Sequence, residues 1–143
     1  MKGFLILCHN PTNLVSKGIR LVTRSYWNHS AILYNGYVYE FTDVGKKKTK
    51  YSEWKYNGIT RLESVDLQID PDTVNGKYDF GVFVNEILFY ITKFDFFTNR
   101  DNPDAWYCFE FCAYCMGLSN YWRYTGKDFE SLPNCFNFKP LNI

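Results

Sequence analysis

Runs of hydrophobic and polar residues along the chain predict short strands and helices in alternation. Residues 4–7 form a wholly apolar run that predicts a buried strand, and residues 58–67 predict another strand with its flanking turn. Apolar positions at helical spacing predict helices over residues 13–24 and 79–93. A further helix is predicted over residues 105–118, and because it is apolar on nearly all sides we expect it to be buried.

The clearest pattern is a β-hairpin over residues 29–42. Two β-rich runs, His-Ser-Ala-Ile-Leu-Tyr and Tyr-Val-Tyr-Glu-Phe-Thr, are joined by Asn-Gly at residues 35–36, the dipeptide that best suits a two-residue type I′ turn. If the two flanking tyrosines lie opposite each other, alternation places His29 and Glu40 on one face as diagonal neighbours. Diagonal neighbours lie about 7–8 Å apart at the backbone, a gap that a Glu side chain spans to reach an imidazole.

Cys108, near the start of the predicted helix over residues 105–118, is the candidate nucleophile. A thiol attacks an acyl carbon only as the thiolate, which requires a neighbouring base or a helix N-terminus. The chain has two histidines, and His9 follows a strand with no acidic residue at a matching offset. His29 is therefore the better candidate base, and Glu40 is placed to orient it.

The same residues also fit ordinary packing. Cys108, Cys112 and Cys115 recur at i, i+4 and i+7, so they share one helix face as core residues do. A single histidine on an aromatic-rich strand is often a core or edge residue, whereas a buried Glu40 needs a partner. Cys112 is a fallback nucleophile one turn after Cys108. Both interpretations stay open at the level of sequence.

The start of the helix that carries Cys108 also has two alternatives. Asn-Pro-Asp at residues 102–104 is itself a good helix start. A helix beginning there would place Cys108 in its second turn, where backbone donors are already used. A helix beginning at Cys108 would leave those donors available to a reacting group.

Length, composition and charge narrow the class of protein. The chain has 143 residues, a common size for one domain, so residues 1–143 are predicted as a single domain. A net charge of +1 gives no indication of nucleic acid or of an anionic membrane surface as a partner. The most apolar stretch, residues 82–97, is interrupted by Asn85, Glu86, Lys93 and Asp95, which predicts no integral membrane segment. With no secretory signal visible, the expected location is the cytoplasm, and the five cysteines are expected to be reduced.

Metal and cofactor signals are weak. The spacing Cys-x3-Cys-x2-Cys at residues 108–115 matches an iron–sulfur motif, but such ligands converge from a loop and these lie on an apolar predicted helix. A zinc site is similarly weak, because the sequence offers no second cysteine pair and no histidine pair at zinc-ligand spacing. We therefore predict no metal and no cofactor.

The basic run at residues 45–50 is interpreted as a solvated loop, with contact to an anionic group as the minor alternative.

The order of these parts resembles the circularly permuted branch of the NlpC superfamily of papain-like hydrolases, the YiiX-like group, whose more distant relatives include the lecithin:retinol acyltransferase family. The corresponding motifs run in the same order along nearly the whole chain: Asn28-His29-Ser30-Ala31-Ile32, Glu40 with Gly45, Lys77-Tyr78-Asp79-Phe80, Tyr107-Cys108-Phe109-Glu110, and Leu132-Pro133. One residue departs from the group, since Phe109 stands where serine is common. That departure bears on substrate choice more than on the chemistry.

The resemblance implies an α+β protein with a papain-like fold in permuted order: a small antiparallel β-barrel or sheet packed against helices, with the nucleophile helix late in the chain. It also implies a cysteine peptidase or amidase that forms an acyl thioester on Cys108, with His29 as base and Glu40 as the orienting residue. The substrate class would be a peptide or other acyl compound. By analogy with the family, the peptide of the cell wall is one such substrate. Aromatic candidates for the cleft, which fit ordinary core positions equally well, are Trp27, Trp106, Tyr107 and Phe109.

Two other functions remain open. One is a lipid-directed acyltransferase or thioesterase, which the aromatic content of 20% would suit. The other is a catalytically silent papain-like module with a binding or structural role in a virus particle. The composition, rich in Tyr, Phe, Asn and Lys, favours a phage or other viral source, so host cytoplasm or the virion are further expected locations. The sequence gives no indication of oligomeric state.

Overall fold

Two β-sheets and one α-helix make up the described part of the chain. The computed structural model describes residues 1–10, 26–42, 44–78, 105–106, 108–119, 121, 124, 129 and 139–140. The elements are β1 (Lys2–His9), β2 (His29–Tyr34), β3 (Tyr37–Thr42), β4 (Gly45–Lys50), β5 (Ile59–Asp66), a 3-10 turn (Pro71–Thr73), β6 (Lys77–Tyr78), β7 (Ala105–Trp106), α1 (Cys108–Cys115) and β8 (Lys139–Pro140). The helices predicted over residues 13–24 and 79–93 lie outside the described residues.

The larger sheet is antiparallel and has the strand order β4-β3-β2-β1-β5-β8. Strand β1 carries the apolar run predicted from the sequence, and it lies inside the sheet between β2 and β5. Its residues from Leu5 to His9 are buried, as expected for a strand covered on both faces. Strand β5 confirms the strand predicted over residues 58–67. The smaller sheet consists of β6 and β7, which pair in parallel.

The predicted β-hairpin is confirmed, with the predicted register. Tyr34 pairs with Tyr37, and the turn between them is made by Asn35 and Gly36. Both turn residues have positive φ, 50° and 78°, as a type I′ turn requires. Asparagine and glycine are the residues that adopt this region at least cost, so the turn sequence determines how the two strands meet.

Apolar side chains cover both faces of the larger sheet. On one face, α1 packs against β2 and β3, and the ring of Phe111 lies 5.0 Å from that of Phe41. On the other face, Ile6, Cys8, Ala31, Leu33 and Val38 form a separate cluster. Full burial of a large apolar side chain stabilises a fold by about 1.5–3 kcal/mol, so these two layers hold the hairpin in place. In the described part of the chain, no helix has the length and apolar character needed to cross a membrane.

The sheet is open, so of the two expected forms, barrel and sheet, the closed barrel is wrong. Among the described strands, β4 and β8 are the two edges. Four of the six residues of β4 are lysines. Lysines along an edge strand disfavour pairing with a further strand, which gives a physical reason for the sheet to end there.

The loop predicted over residues 45–50 is also wrong, because these residues form strand β4 along the whole length of β3. Alternation places Lys46 and Lys48 on one side of the strand. Both ammonium groups are used there: Lys46 Nζ donates to the backbone oxygen of Asp72 at 3.0 Å, and Lys48 Nζ lies 3.0 Å from its carboxylate. Lys48 also lies 4.7 Å from the ring centre of Tyr37. Partners in the 3-10 turn and on β3 therefore stabilise a strand that its own hydropathy does not predict.

The helix predicted over residues 105–118 is shorter than expected. Ala105 and Trp106 form β7, and α1 begins at Cys108 itself. The pairing of these two residues with β6 holds them in extended backbone, which prevents the helix from starting earlier. The candidate nucleophile is therefore the first described residue of α1.

Candidate active site

His29 and Glu40 form the pair that the hairpin pattern predicts. His29 Nε2 lies 3.2 Å from Glu40 Oε1. The Glu40 side chain is 9% exposed and that of His29 is 17% exposed, so little water competes for their contact. Because the turn sequence fixes the register, the sequence of one short segment places an imidazole beside a carboxylate.

The second oxygen of Glu40 has a different partner, Trp54, which the sequence did not predict. The indole Nε1 of Trp54 donates to Glu40 Oε2 at 2.5 Å. Burial alone would raise the pKa of Glu40, but its contacts with His29 and Trp54 and the nearby charge of Lys47 hold that pKa below its usual range. Glu40 is therefore a carboxylate with both oxygens engaged.

Cys108 lies close to the same histidine. Burial favours the neutral form of His29, but hydrogen bonding and charge interaction with Cys108 and Glu40 outweigh it and raise the pKa of His29 to about 10. The structure therefore places Glu40 in hydrogen-bonding contact with His29, and Cys108 within interaction range of the same histidine.

Tyr56 lies alongside the histidine ring. The rings of Tyr56 and His29 are nearly parallel, with centres 6.0 Å apart, and Trp54 stacks on Tyr56 at 6.2 Å. Burial, together with the nearby Cys8, Cys108 and Glu40, raises the pKa of Tyr56 well above its usual value, so its hydroxyl stays protonated. That hydroxyl donates to Asn28 Oδ1 at 3.2 Å.

Asn28 ties the start of β2 to the end of β1. Its backbone N–H donates to the oxygen of Cys8 at 3.0 Å, and its side-chain Nδ2 donates to the backbone oxygen of Asn10 at 3.1 Å. The backbone N–H of Asn10 donates in turn to Asn28 Oδ1 at 3.4 Å. These bonds fix the backbone immediately before His29, so they fix where the imidazole enters the site.

The other described thiols have environments that disfavour the thiolate. Cys8 lies opposite His29 in the sheet, and Cys112 and Cys115 point into the core from α1. Burial raises the pKa of each of the three well above its usual value. Cys112, the fallback nucleophile, is fully buried. Of these four thiols, Cys108 is the one whose interaction helps to raise the pKa of His29.

The predicted cleft residues lie mostly in the core. Trp27, Trp106 and Phe109 are at most 8% exposed and belong to the cluster on the α1 side of the sheet. Trp106 Nε1 donates to the backbone oxygen of Asn75 at 3.0 Å. Tyr107 lies outside the described residues. For the three described residues, the packing alternative left open by the sequence agrees with their burial, and a role in a cleft stays a prediction.

Trp54 and Tyr56 are the site residues that sequence reasoning missed. They lie two residues apart in the segment after β4, and both contact the face of the sheet that carries His29 and Glu40. The available signal was a pair of aromatic residues at strand-like spacing. Nothing local indicates that the indole N–H is directed at a carboxylate on another strand.

A comparison of the chain with protein-family models and with curated proteins found no match. The resemblance to the permuted NlpC group therefore depends on the order of motifs in this sequence. In the described part of the chain, no group of three or more His, Cys, Asp and Glu residues is arranged to hold a metal ion.

Proposed function

We propose that this protein is a cysteine hydrolase of the peptidase or amidase type, built on a papain-like fold in permuted order. The observation that supports it is the position of His29, which contacts Glu40 through Nε2 and interacts with the thiol of Cys108. Nucleophilic cysteine catalysis requires this arrangement of three groups, in which an imidazole lies between a thiol and a carboxylate.

In the proposed reaction, His29 takes the proton of the Cys108 thiol and Glu40 stabilises the resulting imidazolium. The Cys108 sulfur attacks the carbonyl carbon of a peptide or other acyl substrate and forms a tetrahedral intermediate. As this collapses, the imidazolium gives its proton to the leaving amine, and the acyl group stays on sulfur as a thioester. His29 then takes a proton from water, and the resulting hydroxide attacks the thioester. The bond between the acyl carbon and the Cys108 sulfur breaks, the acid is released, and the sulfur recovers its proton from the imidazolium.

The start of α1 supports the charged states of this reaction. The first backbone N–H groups of a helix have no partner within the helix, and the helix dipole favours negative charge at that end. Because Cys108 is the first residue of α1, its thiolate lies at the favourable end, and its N–H is a candidate donor to the oxyanion.

A second candidate function is a catalytically silent module with a binding or structural role. The observation that favours it is the burial of Cys108, which is 2% exposed. A nucleophile must be reached by an acyl carbon, so a thiol this buried reacts only if part of its cover moves. Reactivity of the thiol therefore separates the two candidates.

The test is the pH dependence of iodoacetamide alkylation at Cys108, read by mass spectrometry on the whole protein. For a working pair, we expect selective labelling at neutral pH that slows about tenfold or more in His29→Ala, since one pH unit of thiol pKa changes the thiolate fraction tenfold. His9→Ala is the matched control, because it removes the second histidine of the chain, which stacks on Tyr26. A peptide-based electrophilic probe should then label the same sulfur.

Two results would count against the hydrolase. Labelling that stays slow until about pH 8.5 is the behaviour of an ordinary thiol. A rate that is the same with and without His29 would mean that the imidazole does not activate the sulfur. Either result favours the silent module.

A further inference from the structure

The carboxylate of Glu40 has two cationic or donor groups within reach besides His29. Trp54 donates to its Oε2, and Lys47 is its direct cross-strand partner on β4. Side chains of directly opposed residues in an antiparallel pair share one face, with Cβ atoms about 4.5–5.5 Å apart. An ammonium group at that position competes with His29 for the carboxylate.

Lys47 and Trp54 favour different orientations of the Glu40 carboxylate. Lys47 is exposed, so a carboxylate paired with it would turn toward solvent and away from the imidazole. The indole of Trp54 instead binds Oε2 while Oε1 faces His29. A donor to one oxygen therefore selects the orientation in which the other oxygen meets the imidazole.

Trp54 is itself held in place. Its backbone N–H donates to the oxygen of Lys50 at 2.9 Å, which closes the turn after β4. Its ring stacks on Tyr56 at an interplanar angle of 14°, and Tyr56 is in turn nearly parallel to His29, at 9°. The indole cannot shift without disturbing a row of rings that ends at the histidine.

We propose that Trp54 is a positioning residue that holds Glu40 on His29 and keeps it from pairing with Lys47. The inference depends on the proposed function for its catalytic meaning, since it concerns the same three residues. Its physical content is separate, because it states what sets the protonation of His29 whether or not Cys108 reacts.

The test is an NMR titration of the histidine Cε1–H resonances in the full chain, which has two histidines. Trp54→Phe keeps a ring but loses the N–H. We expect the titration midpoint of His29 to fall by about one pH unit, the size expected for a hydrogen bond to a charged group. Tyr51→Phe, an exposed ring in the same turn, is the control and should leave the midpoint unchanged.

Adding Lys47→Gln to Trp54→Phe gives the sharper result. If the lost donor lets Lys47 draw Glu40 away, removing the ammonium should return the His29 midpoint at least halfway to its original value. A midpoint that is unchanged or raised in Trp54→Phe would overturn the proposal. So would a lowered midpoint that Lys47→Gln does not restore, since loss of packing alone would produce it.

If Trp54→Phe does not fold, the wild-type indole gives the same information. A Trp54 Nε1–H bonded to a carboxylate should resonate downfield and exchange slowly with water, and should move upfield in Glu40→Gln. A resonance that ignores Glu40→Gln would overturn the proposal. Failure of the proposed hydrolase would appear instead as an unreactive Cys108 with the His29 titration still dependent on Trp54, so the two failures are distinguishable.

Discussion

Replacing Glu40 by glutamine should lower both the pKa of His29 and the reactivity of Cys108. The substitution removes one negative charge with almost no change in volume, and glutamine can still accept from Trp54. The lost charge lies 3.2 Å from His29 Nε2. At an effective dielectric constant of about 20, two unit charges at that distance attract by about 5 kcal/mol before desolvation is counted.

Desolvation of Glu40 and His29 reduces the net attraction between them below that value. Opposite charges at this range typically move a pKa by about one to three pH units, or about 1.4–4 kcal/mol. We therefore expect the pKa of His29 to fall by that amount from its value of about 10. The imidazolium then stabilises the thiolate of Cys108 less, and a loss of one pH unit corresponds to about a tenfold smaller thiolate population.

The assay is the second-order rate of Cys108 alkylation between pH 5 and 10. In Glu40→Gln we expect the rate at pH 6.5 to fall about tenfold or more and to approach the wild-type rate at high pH, where any thiol ionises. Glu53→Gln is the matched control, because Glu53 is an exposed carboxylate in the turn before Trp54. Identical pH profiles for Glu40→Gln and the wild type would refute the reasoning, as would an equal change in Glu53→Gln.

Three further predictions concern stability and the remaining thiols. Gly36→Ala should lower stability by about 1–2 kcal/mol in urea unfolding, because its φ of 78° is left-handed while the space around it is open; an unchanged midpoint would contradict this turn geometry. Cys112→Ala should reduce stability by about 1 kcal/mol and leave the alkylation rate of Cys108 intact, so a large fall in that rate would contradict a role for Cys112 in packing alone. Because the pKa of Glu40 is lowered in the folded state, its carboxylate stabilises the fold above about pH 4.5, and this contribution is lost as pH falls through the folded pKa. The urea midpoint should therefore drop more between pH 5 and 3 in the wild type than in Glu40→Gln.

The parts of the fold that the sequence predicted are those that depend on neighbouring residues. The Asn-Gly turn fixes its own backbone conformation, and the conformation fixes the register, so the contact of His29 with Glu40 follows from a single hairpin. Strand β4 could not be predicted in this way. Its lysines have no strand-like hydropathy, and the ladder with β3 and the partner Asp72 that stabilise it lie elsewhere in the chain.

In the candidate site, too, the features set by neighbouring residues were predicted and those set by distant contacts were not. Cys108 was predicted from its residue type and from the expected helix, but the start of that helix is decided by the pairing of β7 with β6. Trp54 was not predicted, because its role comes from one hydrogen bond between a connecting segment and a distant strand. Contacts of this kind depend on tertiary packing, which leaves no periodic signal in the sequence.

The division of the three residues between one hairpin and one distant helix also has a consequence for folding. The contact between His29 and Glu40 closes a short loop, which costs little chain entropy, whereas bringing Cys108 to them closes a much longer one. The imidazole and the carboxylate can therefore meet early, and the thiol arrives only when α1 packs on β2 and β3. In the proposed hydrolase, the sulfur would become reactive only at this stage, so an unfinished molecule, still exposing apolar surface to its neighbours, would carry an ordinary thiol.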